Sequence, residues 1–265
     1  MDVSGGTTPP AVAVAYDRRG DRDAAETLAR ELGLPVARGH RDPHPVHLLR
    51  DRAGRLALRV NDPEHACHGG HDVAVDLLDM DVRSPAGRRL DAPLLRAAGI
   101  RKGEPRRPHV IDATAGLGED TWLLAAHGCR VDAVERDPVI HALLADGLRR
   151  AAEAEPKIAG RIQLHLGDAT AFLTERRAEV VVLDPMFPAQ RKAAERKPMR
   201  VLRLCLGGTP DTDPQALFDA AASTATRRVI VKRPRHAPPL VTSPAPAHAH
   251  TGRGFRFDLY PIHAG

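Results

Sequence analysis

The sequence predicts an α/β protein, with a doubly wound, mostly parallel sheet over residues 86–265 behind a small α+β domain over residues 1–85. Three observations predict it. From Pro108 onward, short apolar runs alternate with stretches of helical periodicity, the order of successive βαβ units. The run Val180–Leu183 is apolar without interruption, as a strand covered on both faces requires. Before that region the rhythm is absent, and a stretch rich in Arg, Pro and Gly from Met80 to Pro108 separates the two textures.

In the first domain, AVAVAY (11–16) reads as a strand, and DRDAAETLARELG (21–33) as a helix that stops at Gly33-Leu34-Pro35. LALRV (Leu56–Val60) and VAVDLL (Val73–Leu78) read as two further strands. The second domain opens with strand HVIDA (109–113), helix EDTWLLAAHG (119–128) and strand RVDAVE (130–135). Its helix over 138–150 is well marked. Asp137 stands at the N-cap, Pro138 at the first helical position, and Ile140, Leu143, Leu144 and Leu148 share one face. Strands follow at RIQLHLGDA (161–169) and VVVLD (180–184), then helices at Met199–Leu206 and Pro214–Thr226, then strand RVIVK (228–232). In GFRFDLY (254–260), Phe255, Phe257 and Leu259 alternate with Arg256 and Asp258, the pattern of an edge strand with one buried face.

Composition bounds the function. Of 265 residues, 42% are hydrophobic and 28% charged, which excludes a collagen, a coiled coil or wholesale disorder. A chain of this length buries enough surface to need no disulfides. Cys67, Cys129 and Cys205 are widely spaced and suggest free thiols in a reducing cytoplasm. MDVSGGTTPP shows no signal-peptide pattern, and the longest apolar runs fall far short of the ~20 residues of a spanning helix. A soluble cytoplasmic protein is expected. The net charge of +5 leans toward a polyanionic partner.

The sharpest motif is Val110-Ile111-Asp112-Ala113-Thr114-Ala115-Gly116-Leu117-Gly118-Glu119-Asp120, an apolar strand running into a small turn that opens a helix. Glycines at 116 and 118 let a ligand approach the backbone and the helix N-terminus, and Asp112, Gly116 and Gly118 are candidate cofactor contacts. A dinucleotide fingerprint would have a third glycine at 121, where Thr121 stands, and a P-loop would have Gly-Lys-Ser/Thr. The acids Glu119 and Asp120 oppose a pyrophosphate and suit a cationic ligand with an amino group, such as S-adenosylmethionine. Glu135 ends the next strand, 19 residues after Gly116, where a carboxylate accepts both hydroxyls of a ribose. Asp168 and Ala169 follow the third strand, and Asp168 there suits an adenine amino group.

The strand Val180–Leu183 delivers Asp184-Pro185-Met186-Phe187 at its carboxyl end, where open α/β sheets bind ligands. This tetrapeptide resembles the Asp/Asn-Pro-Pro-Tyr/Phe signature of amino methyltransferases. An exocyclic base nitrogen is a poor nucleophile because its lone pair is delocalised into the ring. Asp184 and the Pro185 carbonyl, accepting its two N–H bonds, localise that pair and aim it, while the Phe187 ring stacks on the base. Basic residues flank this strand in sequence. Arg191, Lys192, Arg196, Lys197, Arg200 and Arg203 face one acid, Glu195, and a second run includes Lys232 and Arg233. These are candidate phosphate contacts for an RNA. His65, Cys67, His68 and His71 crowd together, yet no second cluster completes a metal site, and none is expected.

The runs VIDATAGLGED, CRVDAVERDPVIHALLADGL, VVVLDPMFP, RRVIVKRPRHAPPL and GRGFRFDLY resemble, in order, those of the bacterial ribosomal RNA small subunit methyltransferase J family over roughly residues 108–260. The resemblance implies a Rossmann-like class I methyltransferase domain and S-adenosylmethionine-dependent methylation of a guanine N2 in 16S ribosomal RNA. It also implies cofactor contacts at Glu119, Asp120, Glu135, Arg136, Asp168, Ala169 and Asp184. The chain departs from the family's pattern at VRSPAGRRLDAP, where a basic glycine-rich stretch is usual, at Glu119, commonly Arg, and at Asp168-Ala169, commonly Ser. Two rival readings are the same fold acting on a DNA adenine or a protein glutamine, and a non-catalytic RNA-binding assembly factor.

Overall fold

The computed structural model describes residues 11–17, 21–37, 42–87, 89–185, 197–206 and 213–262. They form two units, each with its own sheet.

In the first unit, strand β1 (Val12–Val14) leads to helix α1 (Arg22–Leu32), which ends where Gly33 adopts a left-handed conformation at φ 65°. Strand β2 (Val46–Arg50) pairs parallel to β1, while β3 (Leu56–Val60) and β4 (Val73–Ala74) add antiparallel. Strand β2 went unpredicted because VHLLR does not alternate: its first four residues are all buried. The strand expected over Val73–Leu78 is corrected, since pairing stops at Ala74 and a single helical turn follows at Leu77–Asp79.

In the second unit the sheet is built from β5 (His109–Asp112), β6 (Arg130–Glu135), β7 (Ile162–Leu166), β8 (Ala178–Leu183), β9 (Ala225–Pro234), β10 (His248–Thr251) and β11 (Phe255–Pro261). Their spatial order is β10-β11-β9-β8-β5-β6-β7, parallel from β9 to β7, with β11 and β10 antiparallel. The helices are α2 (Pro93–Ala97), α3 (Glu119–Ala126), α4 (Pro138–Ala154), α5 (Pro156–Ala159), α6 (Ala169–Thr174), α7 (Lys197–Cys205) and α8 (Pro214–Thr224); α7 belongs to the first unit, packing on β2. Asp137 caps α4 as its sequence signalled, accepting the N–H groups of Val139 and Ile140 at 2.9 and 3.0 Å.

One sheet face packs Ile111, Val134, Val181, Leu183, Val229 and Val231 with Leu217, Phe218 and Ala221 of α8. Each large side chain so buried contributes on the order of 1.5–3 kcal/mol. Helices α3 and α4 pack on β6 and bury Trp122, Leu124, Leu143 and Leu144. Asp132, buried on β6, is satisfied from both neighbouring strands by His109 (2.6 Å) and His165 (2.9 Å). Burial works to raise its pKa, but these hydrogen bonds outweigh that and hold it below the usual carboxylate value.

Two expectations change here. The division falls at Val75/Asp76 rather than at residue 85, because Asp76 and Arg83 pair with Arg150 and Glu155 of the second unit. The final strand is not an edge. Strand β10 lies outside it, and Asp258 is 1% exposed, holding Arg256 at 2.7 and 3.0 Å. The chain runs β5-β6-β7 outward on one side, then returns to β8 and β9 on the other. The connections leaving the carboxyl ends of β5 and β8 therefore part in opposite directions, the switch point at which such sheets form a crevice.

Candidate active site

The turn after β5 forms the cofactor side of this crevice. Gly116 and Gly118 have φ of 54° and 80°, values that disfavour any residue with a Cβ. A Cβ at Gly118 would also run into Leu144 Cδ1, whereas above Gly116 the space is open. Helix α3 starts at Glu119, so its unpaired N–H groups and the exposed Glu119 border the turn. At the end of β6, buried Glu135 accepts the Gly116 N–H on Oε2 and the Asp137 N–H on Oε1, both at 2.9 Å. Burial raises its pKa above the usual carboxylate value. The carboxylate is thus fixed in orientation, and each oxygen keeps a lone pair for a hydroxyl. Arg136 is exposed beside it.

Across on β7, Leu166 pairs in register with Glu135 and is half exposed. It offers an apolar surface next to the carboxylate, a feature the sequence reading passed over. Asp168 is the N-cap of α6, its Oδ1 accepting Ala171 N–H at 3.0 Å, with Ala169 as the first helical residue. One Asp168 oxygen is therefore spent on the helix, and the other stands exposed for a ligand. The expected direct contact from Asp112 is corrected: at 2% exposure it lies beneath the turn. Its Oδ2 accepts the Thr121 hydroxyl at 2.5 Å, and burial pushes its pKa up to about 7.

The other side of the crevice is made by β8, β9 and β11. Asp184 follows β8, its backbone N–H donating to Thr114 Oγ1 at 2.5 Å, and Pro185 behind it is buried. Lys232 of β9 places its ammonium 3.0 Å from Asp184 Oδ2 and 2.8 Å from Asp120 Oδ2. Surrounding protein raises the Asp184 pKa, and Lys232 works against that rise. For Lys232 burial acts to lower the pKa, but the two carboxylates more than offset it and keep the ammonium charged. Asp184 Oδ1 has no partner among the described residues, and the side chain is 40% exposed.

Lys232 and Arg233 were expected to contact RNA, and both are corrected. Lys232 is engaged by two acids inside the site, and Arg233 is 6% exposed and donates Nε–H to the Pro238 carbonyl at 2.8 Å. The alternation of β9 sends the two to opposite faces. Phe187, Arg191, Lys192 and Arg196 lie outside the described residues. On α7, Lys197 donates to the His71 carbonyl and Arg200 is exposed. Among the described residues no group of His, Cys, Asp or Glu is arranged to hold a metal ion, and no helix is long and apolar enough to cross a membrane. Cys67 and Cys129 are buried and unbridged, and burial pushes the Cys129 thiol up to about 12.

S-adenosylmethionine fits these residues on the structure's own terms. The turn leaves open space over Gly116, Glu135 is a fixed ribose acceptor, Leu166 is an apolar surface for a purine, and Glu119 and Asp120 are acids for an ammonium. Comparison with known proteins agrees. A family model described as "Putative SAM-dependent methyltransferase" matches residues 28–262. The ribosomal RNA small subunit methyltransferase J of Thioalkalivibrio sulfidiphilus is 40% identical over 258 residues, covering 94% of this chain and 97% of that one. The protein of the same name from Pseudomonas fluorescens is 45% identical over 228 residues, covering 78% and 86%. The crystal structure of a SAM-dependent methyltransferase from Neisseria gonorrhoeae superposes with a TM-score of 0.64 at 28% identity, over 96% of this chain and 97% of that one. The crevice and the comparisons agree, and the chain belongs to the ribosomal RNA small subunit methyltransferase J family of S-adenosylmethionine-dependent methyltransferases.

Proposed function

We propose that this protein methylates the exocyclic N2 of a guanine in small-subunit (16S) ribosomal RNA, and that it does so in the cytoplasm. The carrying observation is Asp184: a carboxylate at the crevice mouth with Oδ2 held by Lys232 and Oδ1 left to accept an N–H. The names of the relatives support ribosomal RNA as the substrate.

When bound, S-adenosylmethionine supplies an electrophilic methyl group on a sulfonium. Glu135, with its orientation fixed by two backbone N–H groups, takes the ribose hydroxyls, and Asp168 and Leu166 receive the adenine. The open α3 N-terminus with Glu119 and Asp120 faces the amino-acid end. Asp184 Oδ1 and the Pro185 carbonyl accept the two N2 hydrogens of the guanine and aim the nitrogen lone pair. Lys232 favours the accepting, ionised form of Asp184 against the effect of burial. After transfer the amine is acidic and loses its proton to Asp184 or water, so no strong base is needed. Arg200 and Lys197 on α7, with Arg191, Lys192 and Arg196, are the phosphate contacts in this reading.

The test is mass mapping of methylguanines in small-subunit RNA from a deletion strain, which should lack one N2-methylguanine that the purified protein restores. An unchanged methylguanine map would overturn the reading. Arg200→Gln should reduce the salt dependence of RNA binding by less than about one unit of log–log slope, as one lost phosphate contact requires.

A further inference from the structure

The structure assigns an RNA-base shelf to Phe255, next to the catalytic carboxylate and outside the tetrapeptide that carries it. The inference rests on the proposed RNA substrate and deepens it.

Among the described residues, Leu78, Leu166 and Phe255 are the large hydrophobic side chains left exposed, and Phe255 is the one aromatic among them. It opens β11 opposite Pro234 at the end of β9, with 36% of its surface in solvent. Its ring is held from three sides. Phe257 meets it edge-on at 5.5 Å between centroids, the Lys232 ammonium lies 5.5 Å from its centroid, and a Cβ at Gly252 would stand 2.9 Å from its Cε2. A ring so braced loses little further freedom when a flat ligand covers it.

Its position names that partner. The same ammonium that touches the ring is 3.0 Å from Asp184 Oδ2, so ring and carboxylate are one side chain apart. Phe255 stands beyond Lys232, on the side of the crevice away from Glu135 and the cofactor turn. Because Lys232 lies between the ring and Asp184, the guanine on Asp184 is not the base the ring receives. We infer that it stacks an unpaired nucleobase next to the methylated one. Arg235, His236 and Arg253 are exposed on the two segments next to Pro234 and Phe255, and the Arg235 N–H donates to Gly254 O at 3.2 Å, tying those segments together. No acid pairs with Arg235 or Arg253 among the described residues. An aromatic platform with unpaired arginines beside it is the arrangement that holds single-stranded RNA.

The experiment uses the full chain, with 30S subunits and deproteinised 16S RNA from a strain lacking the enzyme. Phe255→Ala should weaken binding to the better of these substrates roughly 5- to 150-fold, the range for one lost base stack. The loss should fall on KM rather than on the single-turnover rate at saturation. Phe255→Trp should restore binding and Phe255→Leu should not, with cofactor affinity and thermal midpoint serving as controls on folding. Equal binding by the Ala and wild-type proteins would overturn the proposal. So would full rescue by Leu, which shows a merely structural ring, or a loss confined to the saturated rate, which places the ring on the target guanine. If the wild-type protein methylates neither substrate, the underlying functional reading has failed; normal wild-type activity with an indifferent Phe255 sinks only the shelf.

Discussion

The two sides of the crevice are made of different materials. On the cofactor side, backbone does the shaping: two glycines with positive φ, a helix start, and Glu135 locked by the N–H groups of Gly116 and Asp137. On the acceptor side, long side chains meet across strands, with Lys232 joining Asp120 to Asp184 and lying near the Phe255 ring. A backbone cradle is fixed once the sheet has formed. A charge triad responds to pH, to salt and to a single substitution. The difference teaches that cofactor affinity and methyl transfer can be damaged separately.

The largest effect expected from breaking the acceptor side is that of Asp184→Ala. It should cut single-turnover methyl transfer by at least about a hundredfold, the scale of a lost preorganised contact. Cofactor affinity should fall far less, and stability should change little, since 40% of the side chain is exposed. Near-normal single-turnover rates would refute the amino-methyltransferase mechanism.

The mirror experiment is Glu135→Ala. Losing charged hydrogen bonds to two ribose hydroxyls should weaken S-adenosylmethionine binding by about 1–3 kcal/mol in calorimetry. At saturating cofactor the transfer rate should recover most of its wild-type value. Equal affinity in the variant would show that Glu135 serves only to brace the Gly116 turn.

Lys232→Met probes the joint between the sides. It leaves Asp120 and Asp184 without their shared cation, so the Asp184 pKa should rise further. The acid limb of the kcat profile should move to higher pH, with about a tenfold loss near neutrality. Lys232→Arg should return the limb toward its wild-type position. A profile that stays in place would mean that Lys232 only fills space.

A smaller effect, on stability alone, is expected at Asp112. Its pKa is raised by burial to about 7 in the fold and is near the ordinary carboxylate value in the unfolded chain. Folding therefore favours the protonated form. That contribution is complete below about pH 4 and is lost as the pH rises through 7. Asp112→Asn keeps the site neutral, so its thermal midpoint relative to wild type should climb between about pH 4 and pH 7 and level off above that. A rise worth about 1 kcal/mol corresponds to roughly 2–4 °C. A constant difference across that range would contradict the burial argument.

The same contrast explains what the sequence disclosed. Gly116, Gly118, Glu135 and Asp184 were legible because each stands at or just after the end of a strand, and the chemistry of a strand end is written locally. Lys232 was not. In RRVIVKRPRH it reads as one surface base among many, and only the alternation of β9 together with its register beside β8 turns it inward toward Asp120, 112 residues away. Phe255 misled in the opposite sense. Period-2 alternation assigns it to the buried set with Phe257, but as the first residue of β11 it lies beyond the cover that buries Phe257. Strand β10, HAHT, carries no apolar pattern at all and is defined by its pairing with β11.

Helix α7 has a consequence for anyone who cuts the gene. The polypeptide leaves the second unit after β8, contributes α7 to the first, and returns to form α8. The methyltransferase sheet therefore cannot be liberated by trimming the N-terminus. A truncation starting at Asp76 deletes β2 but keeps α7, whose Val201 and Leu202, buried in the intact chain, would then face water. Such a fragment would carry a sticky helix between the strand that bears Asp184 and the helix that completes the core. Freeing the methyltransferase sheet means replacing residues 188–209 with a short polar bridge as well as shedding the first 75, and the phosphate contacts proposed for that segment go with it.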